Sequence, residues 1–206
     1  MVHLITNQNR PQFQNQLASM HRDRKRVFVD RLKWKVPVID DLYEVDQFDT
    51  DYAVYLIDID GQREHLGSMR LLPTTRPHLL GSIFPYLCQN GVPVGEDIWE
   101  VTRLCTRPGL KSGEPRRIRQ RVITAMVEFG LLYGITRFTC VAEMPWISQI
   151  IGMGWRCDPL GLPQEVDGEM IGALQINISP EVLKIFRQHP GCSAPVLMTG
   201  YMAEAA

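Results

Sequence analysis

The sequence lacks paired cysteine motifs and carries almost no net charge. Its cysteines are five in number, and no two of them form a CxxC pair: Cys88, Cys105, Cys140, Cys157 and Cys192. This pattern suggests neither a zinc site nor a disulfide framework, so we expect a reducing, cytoplasmic location. The formal net charge of −1 gives no overall electrostatic reason to bind nucleic acid.

Long apolar runs and repeats are missing as well. No apolar run is long enough to cross a membrane, and the first residues lack the basic-then-apolar pattern of a secretory signal. There is no internal repeat and no segment that reads as a linker between domains. A chain of 206 residues with 45% hydrophobic and 22% charged side chains then predicts one globular domain over residues 1–206.

What is present is an alternation of helix and strand signals. The patterns predict a helix over about Pro11–Leu32, strands at 51–61, 65–73 and 97–106, a long helix at 116–134, a strand at 135–143, a short helix at 144–154, a strand at 169–179 and a last helix from Pro180. Residues 44–49 are predicted to be a loop. This order indicates an α/β domain with a mixed or largely antiparallel sheet.

The strand "WEVTRLC" carries two opposite charges, Glu100 and Arg103, in a segment that is otherwise suited to a core. Residues three apart face opposite sides of a regular strand. A β-bulge would bring both to one face, and bulges are common beside active sites. Arg70 lies in mid-strand in the same way. A buried ion pair that closes a sheet edge is the alternative explanation, because buried charges need partners.

Two further groups lie before the first predicted strand. Asp46 and Asp49 flank Phe48, whereas Arg24, Phe28 and Trp34 stand at the end of the first helix. Taken singly, each is explained as solvated surface or as core. Taken together, cations, carboxylates and aromatic rings beside one sheet could hold a zwitterion with an ammonium or sulfonium group.

These residues, in this order, resemble a known family. The pattern consists of Arg24-x-x-x-Phe28, Trp34, Asp46-x-x-Asp49, Arg70 and Glu100-x-x-Arg103, together with the sequence segments "FVDRLKW" and "RLLPTTRP". It is similar to that of the N-acyl-homoserine lactone synthases, the autoinducer synthases of bacterial quorum sensing. The resemblance covers the first half of the chain closely and the second half in its order of elements.

The resemblance implies a single-domain, three-layer GNAT-like fold, with a twisted mixed sheet and helices on both faces. It also implies two substrates. S-adenosylmethionine supplies the amine, as a substrate and not as a cofactor, and an acyl thioester on acyl carrier protein or coenzyme A supplies the acyl group. The expected products are an acyl-homoserine lactone, methylthioadenosine and the free carrier thiol, and no metal is implied.

The resemblance also assigns roles. Arg24, Phe28 and Trp34 belong to a segment that closes over S-adenosylmethionine, and a charged cluster shapes the same cleft: Asp46, Asp49, Arg70 and Arg103. Glu100, with Arg103 close to it, is the expected catalytic group, because acyl transfer needs a carboxylate to take the proton of the amine.

In this family the acyl chain lies in an apolar tunnel under the sheet, and the resemblance implies that the segment "FTCVAEMPW" lines that tunnel. Thr139 falls where some members carry a threonine associated with 3-oxo substrates, although an ordinary strand threonine explains it equally well. Glu143 and Trp146, with "PLGLP" further on, resemble a subgroup that accepts acyl-coenzyme A with short, branched or aromatic acyl groups. A tryptophan at position 146 would shorten the tunnel.

Arg116, Arg117 and Arg119 begin the long helix, where positive charge opposes the helix dipole. They form either a solvated face or a docking surface for acidic carrier protein or coenzyme A phosphates. The loop before them, "RPGLKSGEP", lacks the usual acetyltransferase spacing. Two alternatives remain, a GNAT acyltransferase that acts on another amine and a non-catalytic binding protein of the same fold. The oligomeric state is left open.

Overall fold

The computed structural model describes residues 1–200, which form one central sheet with helices on both faces. The strands are β1 (Val2–Ile5), β2 (Val38–Ile39), β3 (Tyr43–Glu44), β4 (Val54–Ile59), β5 (His65–Pro73), β6 (Ile98–Thr106), β7 (Arg137–Glu143), β8 (Cys157–Pro159), β9 (Gln164–Val166), β10 (Glu169–Asn177) and β11 (Leu197–Met198). The helices are α1 (Gln14–Arg24), α2 (Leu79–Ser82), α3 (Glu114–Tyr133), α4 (Met144–Ile151) and α5 (Pro180–Phe186).

The main sheet has the order β11-β1-β4-β5-β6-β7-β10-β8, and β9 pairs with β10. The pairs β6–β7 and β1–β11 are parallel, whereas the other neighbours in this sheet are antiparallel. β2 and β3 form a separate short hairpin. The predicted mixed sheet with helices on both faces is therefore confirmed.

The helix α3 packs one apolar face against the sheet, as its periodicity predicts. Ile118, Val122, Ala125 and Met126 are all buried there together with Leu56 and Leu71 of the strands. Close approach requires a glycine in β5, since a Cβ on Gly67 would lie 2.3 Å from the Ile118 side chain. Gly134 ends the helix with a φ of 71°, a conformation that glycine adopts without strain.

The first predicted helix proves to be three segments. A 3₁₀ turn at Arg10–Phe13 leads into α1, and α1 continues as a π-helical segment over Lys25–Arg31. On the opposite face of the sheet from α3, the 3₁₀ turn buries Phe13 and α1 buries Met20 in a second core cluster. β1 was not predicted from the sequence, because its four residues are too few to show a periodic pattern.

The centre of the sheet contains two irregularities. Ser68 and Arg70 of β5 pair with Cys105 and Thr102 of β6, so β6 holds one extra residue, and Arg103 within it has a φ of 55°. This confirms the predicted bulge. In addition, β6 and β7 pair only as far as Glu100 and Thr139. Beyond that point the two strands part and open a cleft.

Candidate active site

Six buried side chains form a closed ring of alternating charge beside the bulge. In order around the ring they are Arg24, Glu44, Arg103, Asp46, Arg70 and Asp49. Each side chain is 6% exposed or less, and each contacts an opposite charge on both sides. Three arginines and three carboxylates give the ring a formal charge of zero.

The contacts of Arg24 and Arg70 are short and in part bidentate. Arg24 donates through Nε to Glu44 Oε2 and through Nη1 and Nη2 to the two oxygens of Asp49, at 2.8 and 3.0 Å. Arg70 donates to both oxygens of Asp46, at 2.6 and 3.0 Å, and lies 2.8 Å from Asp49. Such paired geometry is the strongest form of ion pair.

The pKa values follow from this packing. Burial alone would raise the pKa of Asp49, but the charges of Arg24 and Arg70 outweigh it and hold that pKa well below its usual range. Burial likewise acts to lower the pKa of Arg24, and the neighbouring Asp49 and Glu44 reverse the shift. Arg24 and Asp49 therefore both stay ionised at neutral pH.

Local backbone structure presents each member of the ring. Arg24 ends α1, Arg70 projects from β5, and Arg103 lies at the bulge. Asp46 and Asp49 share one turn, in which Asp46 N–H donates to Asp49 Oδ2 at 2.8 Å. Sequence reasoning missed Glu44, which it assigned to a loop, although it stands two residues before Asp46 and is completely buried.

An aromatic pair covers one side of Arg103. Phe28 and Trp34 stack with their ring centroids 4.7 Å apart, and the Arg103 guanidinium carbon lies 5.5 and 5.8 Å from the two centroids. The π-helical segment turns Phe28 inward. Trp34 then donates through Nε1 to Glu143 Oε1 at 3.3 Å, which links the N-terminal segment to the end of β7.

Glu100 lies where the cleft opens. Its carboxylate is fully buried and accepts hydrogen bonds from the backbone N–H groups of Leu79 and Leu80, both at 2.7 Å. Burial raises the pKa of Glu100 to about 7, although these hydrogen bonds and the charges of Arg70 and Arg103 act in the opposite direction. The alternative of an ion pair between Glu100 and Arg103 is wrong, because the ion pairs of Arg103 within residues 1–200 are with Glu44 and Asp46.

An apolar cavity of about 210 Å³ runs from the aromatic pair through the cleft to α3 and α4. Phe28, Trp34 and Arg103 line one end. The walls and the far end include Met69, Val101, Met126, Cys140, Ile150, Met153, Trp155 and Ile176. Glu143 and Trp146 line it as well. A cavity with this lining suits a short hydrocarbon chain better than a polar ligand.

Of the remaining predicted residues, Thr139 lies in β7, whereas Arg116, Arg117 and Arg119 lie near the start of α3. Thr139 pairs with Glu100, and its hydroxyl is buried without a hydrogen-bond partner among residues 1–200. Arg116 and Arg117 are exposed in the first turn of α3. Arg119 differs from them, because its guanidinium lies 5.3 Å from the centroid of the Trp146 ring. Arg119 of α3 therefore packs on Trp146 of α4.

Other kinds of site find no support in the part of the chain that the structure describes. Within residues 1–200 no group of three or more His, Cys, Asp or Glu side chains could hold a metal ion. None of the helices there combines the length and the apolar character that a membrane span needs.

Comparison with known sequences identifies the family. The family described as autoinducer synthase matches residues 8–185. The isovaleryl-homoserine lactone synthase of Bradyrhizobium diazoefficiens is 29% identical over 206 residues, which are 100% of this chain and 92% of that protein. The acyl-homoserine-lactone synthase of Ralstonia nicotianae is 30% identical over 166 residues, 78% of this chain and 81% of that protein.

Solved structures agree. The coenzyme A-dependent acyl-homoserine lactone synthase BjaI, solved with S-adenosylmethionine and isopentyl-coenzyme A, has a TM-score of 0.89 at 28% identity over 98% of this chain and 94% of that one. The coenzyme A-dependent synthase MesI has a TM-score of 0.87 at 30% identity, covering 97% and 100%. A putative N-acetyltransferase from Lactobacillus plantarum, at 16% identity and a TM-score of 0.56, shares the fold alone, which confirms the GNAT-like architecture. The chain belongs to the autoinducer synthase family and is an acyltransferase of the acyl-homoserine-lactone synthase type.

Proposed function

We propose that this chain transfers a short acyl group from acyl-coenzyme A to the amine of S-adenosylmethionine, with release of the coenzyme A thiol, and closes the product to an acyl-homoserine lactone, with release of methylthioadenosine. The observation that carries the proposal is a buried carboxylate, Glu100, where β6 and β7 part, directly before Val101, which lines an apolar cavity that Arg103 of the charged ring also lines. Similarity along nearly the whole chain to two coenzyme A-dependent synthases supports the choice of donor.

Glu100 is the proposed general base. The amine of S-adenosylmethionine must lose a proton in order to attack the thioester, and a base works best when its pKa lies near the operating pH. A pKa of about 7 meets that requirement. Two backbone N–H groups hold the carboxylate in place, so it need not reorganise during the reaction.

The thioester carbonyl would lie beside the edge of β6. Negative charge develops on the thioester oxygen in the transition state and needs a hydrogen-bond donor. Since the pairing of β6 with β7 stops at Glu100 and Thr139, the edge of β6 beyond this point is available to donate a backbone N–H. The acyl chain then extends into the apolar cavity, whose small volume and whose Trp146 favour a short chain.

The charged ring and the aromatic pair would hold the other substrate. Aromatic faces attract a sulfonium cation, and Phe28 and Trp34 offer them at the mouth of the cavity. Lactone closure is the attack of the substrate carboxylate on the carbon next to sulfur, with methylthioadenosine as the leaving group. That step depends on positioning, because the sulfonium already provides a good leaving group. Arg24, Asp46, Asp49, Arg70 and Arg103 are proposed to shape this half of the site.

Three further inferences concern the binding of the donor's phosphates, the extent of the domain and the location of the protein in the cell. Arg116 and Arg117 are exposed in the same helix as Arg119, which packs on the cavity-lining Trp146, so we assign the donor's phosphates to them. We infer that residues 1–206 form one autoinducer-synthase domain, because the family match spans 8–185 and β1 and β11 extend the same sheet beyond it. We place the protein in the cytoplasm, where S-adenosylmethionine and acyl thioesters are available.

The test is a product analysis with purified protein. S-adenosylmethionine is combined with isovaleryl-coenzyme A, with longer acyl-coenzyme A thioesters, or with the same acyl groups on carrier protein, and methylthioadenosine and lactone are measured by mass. We expect equimolar release of both products, only when a thioester is present, and a lower KM for coenzyme A donors. Acyl transfer without methylthioadenosine would instead indicate an acyltransferase that acts on another amine. Preference for carrier protein would overturn the assigned donor.

A further inference from the structure

Glu44 joins two separate parts of the site. It ends the two-residue strand β3 and has no exposed surface. Its Oε2 accepts from Arg24 Nε, at the end of α1, and its Oε1 accepts from Arg103 Nε and Nη2 on β6, at 3.1 and 2.9 Å. The backbone carbonyl of Glu44 also accepts from His21 Nδ1 at 2.8 Å. Glu44 thereby connects the N-terminal helix to the bulged strand.

Arg103 depends on Glu44 for its orientation. Asp46 contacts only Nη2 of Arg103, at 2.7 Å, whereas Glu44 contacts both Nη2 and Nε. A guanidinium held at two nitrogens is fixed in its plane, while one held at a single nitrogen can rotate. The plane matters because Arg103 lies against Phe28 and Trp34 and lines the cavity.

Glu44 also sets the charge of the ring. With it the formal charge is zero, and without it the ring carries one excess positive charge, close to the place where a cationic sulfonium must bind. Burial keeps water from screening that charge. The same loss leaves Arg24 with Asp49 alone and Arg103 with Asp46 alone.

We propose that Glu44 is a positioning residue for the amine substrate, which fixes the Arg103 guanidinium against the Phe28–Trp34 pair and keeps the ring neutral, so that a cationic substrate binds beside it. This inference rests on the proposed function. Because Arg24 and Arg103 occupy both carboxylate oxygens of Glu44, it acts through Arg103 and not by contact with substrate.

The experiment compares Glu44→Gln with Glu128→Gln. Glu128 is a matched control, because its side chain is 10% exposed, pairs with Arg187 at 2.7 Å and accepts from the backbone N–H of Leu197 at 2.8 Å, all outside the ring. For Glu44→Gln we expect the KM for S-adenosylmethionine to rise on the order of 10-fold, the effect of one unit charge about 10 Å away at an effective dielectric constant of about 20. The KM for the acyl donor should change little. Glu128→Gln should lower the melting temperature and leave both KM values unchanged.

Glu44→Asp provides the second variant. Aspartate keeps the negative charge, but its side chain is too short to contact both Arg24 and Arg103. The KM of this variant for S-adenosylmethionine should therefore lie between those of wild type and Glu44→Gln. If Glu44→Gln does not fold, the same comparison is made with Glu44→Asp and Glu128→Asp. An unchanged KM for S-adenosylmethionine in a folded Glu44 variant, with activity lost only in proportion to unfolded protein, overturns the proposal. A wild-type protein that makes no lactone would instead refute the proposed function, and direct calorimetry of S-adenosylmethionine binding still tests Glu44.

Discussion

Glu100 and Thr139 are directly paired across β6 and β7, and they are the last pair before the two strands part. One residue of the pair carries a buried carboxylate that is held by two backbone N–H groups, and the other carries a buried hydroxyl with no partner among residues 1–200. The parting of the strands therefore begins at two polar groups, beside a cavity whose lining is mostly apolar.

The first prediction concerns catalysis by Glu100. Glu100→Gln keeps the size of the side chain but cannot accept a proton, so kcat should fall on the order of 10²-fold or more, the usual effect of losing a general base. Steady-state release of methylthioadenosine measures this. Circular dichroism serves as the control for folding. A folded variant that retains most of its activity would remove Glu100 from the mechanism.

The pKa of Glu100 predicts two pH dependences. A base must be deprotonated, so kcat/KM should rise with pH and level off above about 7. The stability of the fold should instead fall as the pH rises. Since folding raises the pKa of Glu100, the stabilising contribution of the protonated Glu100 is complete below about pH 4.5 and is lost as the pH rises through about 7. Melting temperatures of wild type and Glu100→Gln over this range measure it, and the variant should show the weaker decline.

A further prediction concerns the length of the acyl pocket. Trp146 is partly buried and lines the cavity, so Trp146→Ala should shift preference toward longer acyl-coenzyme A donors. Each methylene newly buried contributes roughly 0.8 kcal/mol, so several carbons can change preference by about two orders of magnitude. A kcat/KM profile against chain length measures the shift.

The control for that experiment makes the same tryptophan-to-phenylalanine substitution at two positions, 146 and 99. Trp146→Phe should shift the profile slightly, whereas Trp99→Phe, which alters a ring packed on Phe129, should lower the melting temperature without a shift. A folded Trp146→Ala with the wild-type profile would place Trp146 outside the functional pocket.

The arginines of α3 give the next prediction. Arg116→Glu combined with Arg117→Glu should raise the KM for the acyl donor and reduce its salt dependence, because exposed charges act mainly by steering. Arg119→Glu should in addition alter the acyl profile, since Arg119 packs on Trp146. Lys184→Glu, an exposed reversal on α5, is the control. If the KM for the acyl donor is the same in all three variants as in wild type, Arg116 and Arg117 are solvated surface.

The last prediction concerns the link between Trp34 and Glu143. Trp34→Phe keeps an aromatic ring to stack on Phe28 but removes the N–H that Glu143 accepts. If that hydrogen bond holds the N-terminal segment over the cavity, Trp34→Phe and Glu143→Ala should raise the KM for S-adenosylmethionine about equally, by several-fold. Glu143→Gln, whose amide oxygen still accepts, should stay near wild type. Additive losses in the double variant would show that the two residues act separately.

Local sequence signals predicted much of the fold. The hairpin signal of the Asp60-Gly61 turn before 65–73 and the helical spacing from Ile118 to Phe129 are each local, so β5 and α3 appear where expected. Two misplaced charges three residues apart in one strand indicated the bulge at Arg103. β1 and β11 were missed, because strands this short depend on their neighbours and show no period of their own.

The sequence by itself determined which residue types the site contains, namely arginines, aspartates and aromatic rings in an order that resembles one family. Only the tertiary structure decided how they pair. Arg103 is bound by Glu44, 59 positions away, and not by Glu100 in its own strand. Ion pairing between distant segments follows from how β3, α1 and β6 pack, and burial, which raises the pKa of Glu100, is likewise a property of the folded chain. Neither can be read from spacing along the sequence.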